Sequence, residues 1–172
     1  MSLPKAIICD LDGTLCNQSH RAHLFLKRNW DEYFAGIPND MPNEWCEKIL
    51  FAAQARILGN PDAGYHDHIL FVTGRPEKYR DETKKWLVNK ISWIRGWWDG
   101  YLFMRRDYLD EATTSANGVT SSRPDNRNSC DVKREIYETH IKDKYDVLFV
   151  LEDDHKCAKM YRELGLTVLL CK

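Results

Sequence analysis

Short unbroken apolar runs recur along the chain, and most of them end in residues able to do chemistry. Ala6-Ile7-Ile8-Cys9 runs into Asp10-Leu11-Asp12-Gly13-Thr14-Leu15. An apolar run this short predicts a buried strand in a parallel sheet covered on both faces. Ile69–Val72 predicts a second strand, which enters Thr73-Gly74-Arg75-Pro76. Tyr101–Met104 predicts a third, leading to Arg105 and Arg106. Val147–Leu151 predicts a fourth, stopping at Glu152-Asp153-Asp154, and Thr167–Leu170 a last. Apolar positions at helical spacing predict a helix over Trp45–Leu58, ended by Gly59-Asn60-Pro61. Further helices are predicted over Glu77–Asn89, Val132–His140 and Lys156–Leu164, the last closed by Gly165. Residues 110–131 are polar and turn-rich and predict a loop. Strands alternating with helices predict an α/β chain with a doubly wound, central parallel sheet. No repeat and no linker is visible, so residues 1–172 read as a single domain, with 19–60 as a small helical insertion after the first strand.

Open α/β sheets place their sites at the carboxyl ends of the strands. Here those ends carry Asp10 and Asp12, Thr73 and Arg75, and Glu152 and Asp153. Two acids one residue apart repel each other unless a cation or a shared proton intervenes, and a divalent metal is the simplest resolution. Carboxylates suit a hard cation such as Mg²⁺. Lys133, at the start of a predicted helix, can supply a second positive charge to an anionic substrate. Acids, metal, hydroxyl and lysine together describe a phosphoryl-transfer site, in which a carboxylate can act as the nucleophile.

Composition narrows the partners. With 25 basic and 26 acidic residues the net charge is −1, so no global field draws the chain to nucleic acid or membrane. No stretch approaches the roughly 20 apolar residues of a spanning helix. The five residues before the first strand are too few for a signal peptide, and a cytoplasmic location is expected. The six cysteines show no metal-ligand spacing, and several lie in apolar runs, so reduced, packed thiols are expected. His20 and His23, and His66 and His68, lack the helical context of a zinc site.

Asp10-Leu11-Asp12-Gly13-Thr14-Leu15 resembles the first signature of the haloacid dehalogenase superfamily of phosphohydrolases. Thr73-Gly74-Arg75, Lys133 and Glu152-Asp153 resemble its second, third and fourth, in the right order and over nearly the whole chain. The resemblance implies a three-layer, Rossmann-like α/β/α fold and a Mg²⁺-dependent phosphatase working through an aspartyl-phosphate. It implies Asp10 as nucleophile and Asp12 as general acid and then base. Thr73 would hold the phosphoryl group and Lys133 neutralise it. Asp10, the backbone carbonyl of Asp12, Glu152 and Asp153 would bind the metal. Transport ATPases and dehalogenases lack an acid at the place of Asp12, which argues for phosphomonoester hydrolysis, where a poor alkoxide leaving group needs a proton.

A finer set of residues is similar to the phosphatase domain of bacteriophage-type polynucleotide kinase/phosphatase, which removes 3′-phosphates from nucleic-acid ends. It comprises Arg21, Thr73-Gly74-Arg75-Pro76, Tyr79-Arg80, Lys85-Trp86-Leu87, Asp131–Ile136, Glu152-Asp153-Asp154 and Met160–Leu166. That resemblance implies Arg21, Gly74 and Arg75 as the substrate-binding residues. The chain departs from it at Ser129, where an aspartate is usual, and at Glu152, the first acid of the fourth motif. A glutamate can still serve the metal, and Ser129 bears on the substrate more than on the reaction. GxxxxGK[ST] is absent, so the sequence carries no phosphate-cradling P-loop.

Three functions follow for comparison: a 3′-phosphatase of nucleic-acid ends, a nucleoside monophosphatase, and a non-catalytic phosphate-binding module. The partner expected is a phosphorylated substrate, a nucleic-acid end or a nucleotide, with no membrane and no required protein partner. Between Ser19 and Asp40 lie Phe25, Trp30 and Phe34, which either pack a plain helical excursion or stack on bases; Trp93, Trp97 and Trp98 pose the same choice. Lys78, Arg80, Lys84, Lys85 and Lys90 read as a solvated helix face or as a track for a phosphate backbone.

Overall fold

A computed structural model describes residues 3–58, 68–91, 93, 101–114 and 120–171. From the amino end, β1 (Lys5–Cys9) is followed by β2 (Cys16–Asn17), α1 (Ala22–Leu26), α2 (Trp30–Ala35), β3 (Met41–Pro42) and α3 (Glu44–Leu58). Next come β4 (His68–Pro76), α4 (Arg80–Lys90), β5 (Leu102–Arg105), β6 (Tyr108–Thr114) and β7 (Thr120–Pro124). The chain continues through α5 (Ser129–Ile136), β8 (Asp146–Glu152), α6 (His155–Glu163) and β9 (Val168–Leu170).

Five strands form a parallel sheet in the order β5-β4-β1-β8-β9. Alternation along β1 divides the core between two faces. Ile7 and Cys9 join Leu50 of α3 and Trp86 and Leu87 of α4, whereas Ala6 and Ile8 join Val132 of α5 and Ala158 and Tyr161 of α6. Sheet and two helix layers thus make the three-layer α/β/α fold expected. Ile7 and Ile8 are each 1% exposed, and burying such a side chain contributes about 1.5–3 kcal/mol. Register is the structural cause of the site: Cys9 lies opposite Phe71 of β4 and Leu151 of β8, so the residues that follow each emerge at one sheet end.

Three expectations need correction. The loop predicted over 110–131 contains the antiparallel pair β6–β7 and the start of α5. Hydrophobic periodicity gave no signal because these strands are polar and threonine-rich, and β-branched threonine favours strands without marking a buried face. The second strand runs beyond Val72 through Thr73 and Arg75 to Pro76, because β5 pairs with it as far as Arg105. The six thiols are not all reduced: Cys130 and Cys157 form a disulfide between α5 and α6. Twenty-seven residues separate them, so no local spacing betrayed the pair. Cys9, Cys16, Cys46 and Cys171 are free and buried.

The excursion after the first strand is closed by a two-residue antiparallel ladder, Cys16 with Pro42 and Asn17 with Met41. α1 and α2 lie within it, whereas α3 packs Cys46 and Leu50 into the core. Trp93 packs against the core near Phe51. Gly59-Asn60-Pro61, His66, Trp97 and Trp98 lie outside the described residues.

Candidate active site

β1 stops at Asp10 because the chain turns there, and the turn is specific. Gly13 has φ +92°, and a Cβ at this position would collide with the Asp153 carboxylate. The Thr14 hydroxyl donates to Asp153 Oδ1 at 3.2 Å. Asn43, just before α3, donates to the Thr14 carbonyl at 2.8 Å. The turn is thereby pinned from both sides, with Asp10 facing the end of β8.

Asp10, Glu152 and Asp153 form one cluster whose carboxylate oxygens lie within 4.8 Å of one another. Lys133, 3% exposed on α5, reaches Asp10 Oδ1 at 2.7 Å and Glu152 Oε2 at 2.7 Å. One lysine therefore faces three acids. The resulting excess of negative charge pushes the acids up: burial first, then the Asp10 charge, raises Glu152 to about 8 and Asp153 to about 6. Burial likewise raises Asp10, opposed by Lys133. Lys133 itself is held firmly protonated, since Asp10 and Glu152 outweigh its burial. Asp154 stands apart as the N-cap of α6, accepting from Lys156 and Cys157 backbone N–H at 2.7 and 3.0 Å.

Asp12 turns to a second cluster. Arg75 Nε and Nη2 donate to its two oxygens at 2.8 and 2.7 Å, and Arg21 Nη2 donates at 2.6 Å. Burial pushes Asp12 up, but the two guanidiniums outweigh it and hold the carboxyl at about 2. Both arginines also grip Asp40, which is fully buried. Arg21 donates to it through Nε at 2.8 Å and Nη2 at 2.7 Å, and Arg75 through Nη2 at 3.0 Å. Trp86 Nε1 donates to the Asp40 carbonyl at 2.8 Å, fixing the return of the excursion against α4. Two buried cations thus face two carboxylates, one of them Asp12.

The structure brings Asp10, Lys133, Glu152 and Asp153 into one group, and Asp12, Arg21 and Arg75 into its neighbour. Arg21 and Arg75, 1% and 0% exposed, are spent on Asp12 and Asp40 rather than open to solvent. Thr73 is buried in β4, and its hydroxyl accepts the Arg75 backbone N–H at 3.3 Å. Gly74 presses against α5, where a Cβ would meet Ser129 Oγ at 2.5 Å, and its carbonyl accepts Arg105 Nε at 2.9 Å. Asp40 escaped the sequence reading. The available signal was an acid at the point where the insertion returns, in Asp40-Met41-Pro42-Asn43, far from either arginine in sequence.

No described helix is long and apolar enough to cross a membrane. A protein-family model described as the polynucleotide kinase PNKP phosphatase domain matches residues 4–172. Among solved structures, a chain of a Pnkp1/Rnl/Hen1 complex is 27% identical with a TM-score of 0.69, and a chain of the Pnkp1/Rnl/Hen1 RNA repair complex is 28% identical with 0.68. The similarity covers 99% of this chain but only 46% and 43% of those. The class C acid phosphatase of Bacillus anthracis shares the fold at 13% identity and a TM-score of 0.56, over 99% of this chain and 67% of that one. Curated protein sequences gave no match.

Proposed function

We propose, for a chain that belongs to the family of polynucleotide kinase PNKP phosphatase domains and is a phosphatase, that it removes 3′-phosphates from nucleic-acid ends with Mg²⁺ and an aspartyl-phosphate at Asp10. The observation that carries the chemistry is the pairing of two unlike acids. Asp10 shares one lysine with Glu152 beside a third carboxylate, Asp153, and Asp12, two residues on, is held by two arginines. The donor set fits a hard divalent cation: three carboxylates close together and one compensating lysine. Asp10, Glu152 and Asp153 would hold it, and when bound it would neutralise phosphoryl oxygens.

Asp10 attacks phosphorus, and the bond to the leaving oxygen breaks as Asp12 protonates that oxygen. Water then attacks the phospho-enzyme while Asp12 takes its proton, which returns Asp10 free. Pairing with arginine keeps Asp12 in the form needed for the second step. Substrate phosphate, a dianion beside it, raises its pKa for the first. Lys133 lies where it can stabilise charge on the transferring group.

The family membership and the two Pnkp1 structures support nucleic acid as substrate, and the RNA repair complex points to an RNA end. Those similar chains were found together with Rnl and Hen1, so protein partners enter the proposal, against the expectation that none is required. The test compares kcat/KM on a 3′-phosphorylated oligonucleotide with that on mononucleotides and on the 5′-phosphorylated oligonucleotide. At least a tenfold preference for the first is expected. Preference for mononucleotides would favour the nucleotidase instead.

Metal binding is expected to depend on pH. Glu152 and Asp153 must lose protons to ligate, and their pKa values are raised to about 8 and about 6. Mg²⁺ affinity therefore rises with pH, roughly tenfold or more between pH 6 and 8, as calorimetric titration would read. The same shifts act in reverse on the metal-free protein. Its folded state binds more protons than the unfolded, so stability falls as pH rises from the ordinary 4.5 of Glu152 through about 8. Equal affinity at the two pH values would contradict this assignment of ligands.

A further inference from the structure

We propose that the turn between α1 and α2 is the docking surface for the single strand upstream of the scissile phosphate, with Trp30 and Phe25 stacking its bases and Lys27 and Arg28 meeting its phosphodiesters. The proposal rests on the nucleic-acid reading above and assigns it a surface.

Four observations converge on this turn. First, the aromatic residues of the excursion divide into two kinds. Tyr33 and Phe34 are buried, whereas Phe25 and Trp30 remain 53% and 43% exposed, beside Leu26 at 83%. Phe25 and Trp30 meet edge-on at 5.2 Å between ring centroids and still remain open to water, together with Leu26 an exposed apolar patch. Second, the patch is cationic. Lys27 and Arg28 are exposed and have no ion pair among the described residues. Of the nearby acids, Asp31 is paired with Lys78 at 3.1 Å, and Glu32 accepts from the Asn29 amide at 2.6 Å, so the cations outnumber the acids by one. An aromatic face flanked by free cations is complementary to a single strand, whose bases stack and whose backbone is anionic.

Third, Arg28 has φ +54°, the one non-glycine residue with positive φ among those described. Arginine is strained there, where asparagine or glycine would be easier, and such strain collects at functional positions. Fourth, the turn is joined to the catalytic centre through two buried side chains, Arg21 and Tyr33. Asp12 binds Arg21, the Arg21 guanidinium lies 4.2 Å over the Tyr33 ring, and Tyr33 contacts Phe25 and Trp30 at 5.8 and 6.1 Å between ring centroids. In the proposal the strand places its terminal phosphate at Asp10 and lays its upstream nucleotides on this turn.

The test measures KM of the whole chain on a 3′-phosphorylated oligonucleotide and on an aryl phosphate, for wild type, Trp30→Ala and Arg28→Asn. Trp30→Ala should raise KM for the oligonucleotide roughly tenfold, near the low end of base–aromatic stacking, and leave the aryl phosphate unchanged. Arg28→Asn should lower the slope of log KM against log salt by about 0.7, one phosphate contact on a single strand. It should do so with Tm unchanged or raised, because asparagine relieves the backbone. Oligonucleotide KM values equal to wild type in both variants would overturn the surface alone. So would equal losses on both substrates, the mark of a structural role. If the wild type fails to cleave the oligonucleotide while turning over the aryl phosphate, the substrate reading falls and the surface with it.

Discussion

Asp10→Asn is expected to reduce turnover of an aryl phosphate by at least roughly a thousandfold in a folded protein. The amide keeps the shape of the side chain and cannot attack phosphorus. An aryl leaving group needs little proton donation, so the assay sets aside the role of Asp12 as acid and keeps only its role as base. Folding should not suffer, since Asp10 sits in a group with more acids than cations, where burial and the Asp12 charge raise its pKa. Neutralising it removes a repulsion with Glu152 and Asp153. The expected signature is therefore loss of activity with an undiminished Tm at pH 8. Residual turnover within tenfold of wild type would assign the attack to another group.

Asp40→Ala is expected to destabilise the fold by about 3–5 kcal/mol, the usual consequence of leaving buried charge without its partner. Arg21 and Arg75 are almost wholly buried, and Asp40 accepts three hydrogen bonds from them. Without it Asp12 is left as the one carboxylate bonded to both guanidiniums among the described residues. For a chain of this length each kcal/mol moves Tm by about 2–4 °C, so a fall of roughly 6–20 °C should be seen by thermal unfolding. Activity on nucleotide substrates should fall as well, because Asp12 would be held still more firmly as a carboxylate. A Tm within 2 °C of wild type, against the roughly 6 °C minimum, would show that the arginines find other partners.

What could be read from the chain before the structure follows from where its signals lie. The parallel strands were legible because both sheet faces are covered, and continuous apolar runs such as Ala6–Cys9 and Leu70–Val72 result. Asp10 and Glu152 sit at strand ends that their apolar runs foretold, whereas Thr73 lies inside β4 rather than at its end. β6 and β7 were hidden, since they pair with each other and their sequence is polar and threonine-rich. The Cys130–Cys157 bond and the Asp40 clamp were hidden for a common reason. Each joins residues distant in sequence, and no periodicity carries such information. Resemblance placed Arg21 and Arg75 on substrate phosphate, and only burial reveals how completely Asp12 and Asp40 occupy them. The excursion shows a finer division among its aromatic residues, Phe34 buried and Trp30 exposed.

The central claim is that phosphate passes through Asp10. A 3′-phosphorylated oligonucleotide with a radiolabelled terminal phosphate, mixed with excess protein and Mg²⁺ and quenched in acid at successive times, tests it directly. Label should appear on the protein before free phosphate, decay as phosphate accumulates, and map to the peptide containing Asp10. Release of free phosphate with no label on the protein at any time, or label that persists in Asp10→Asn, would contradict the account.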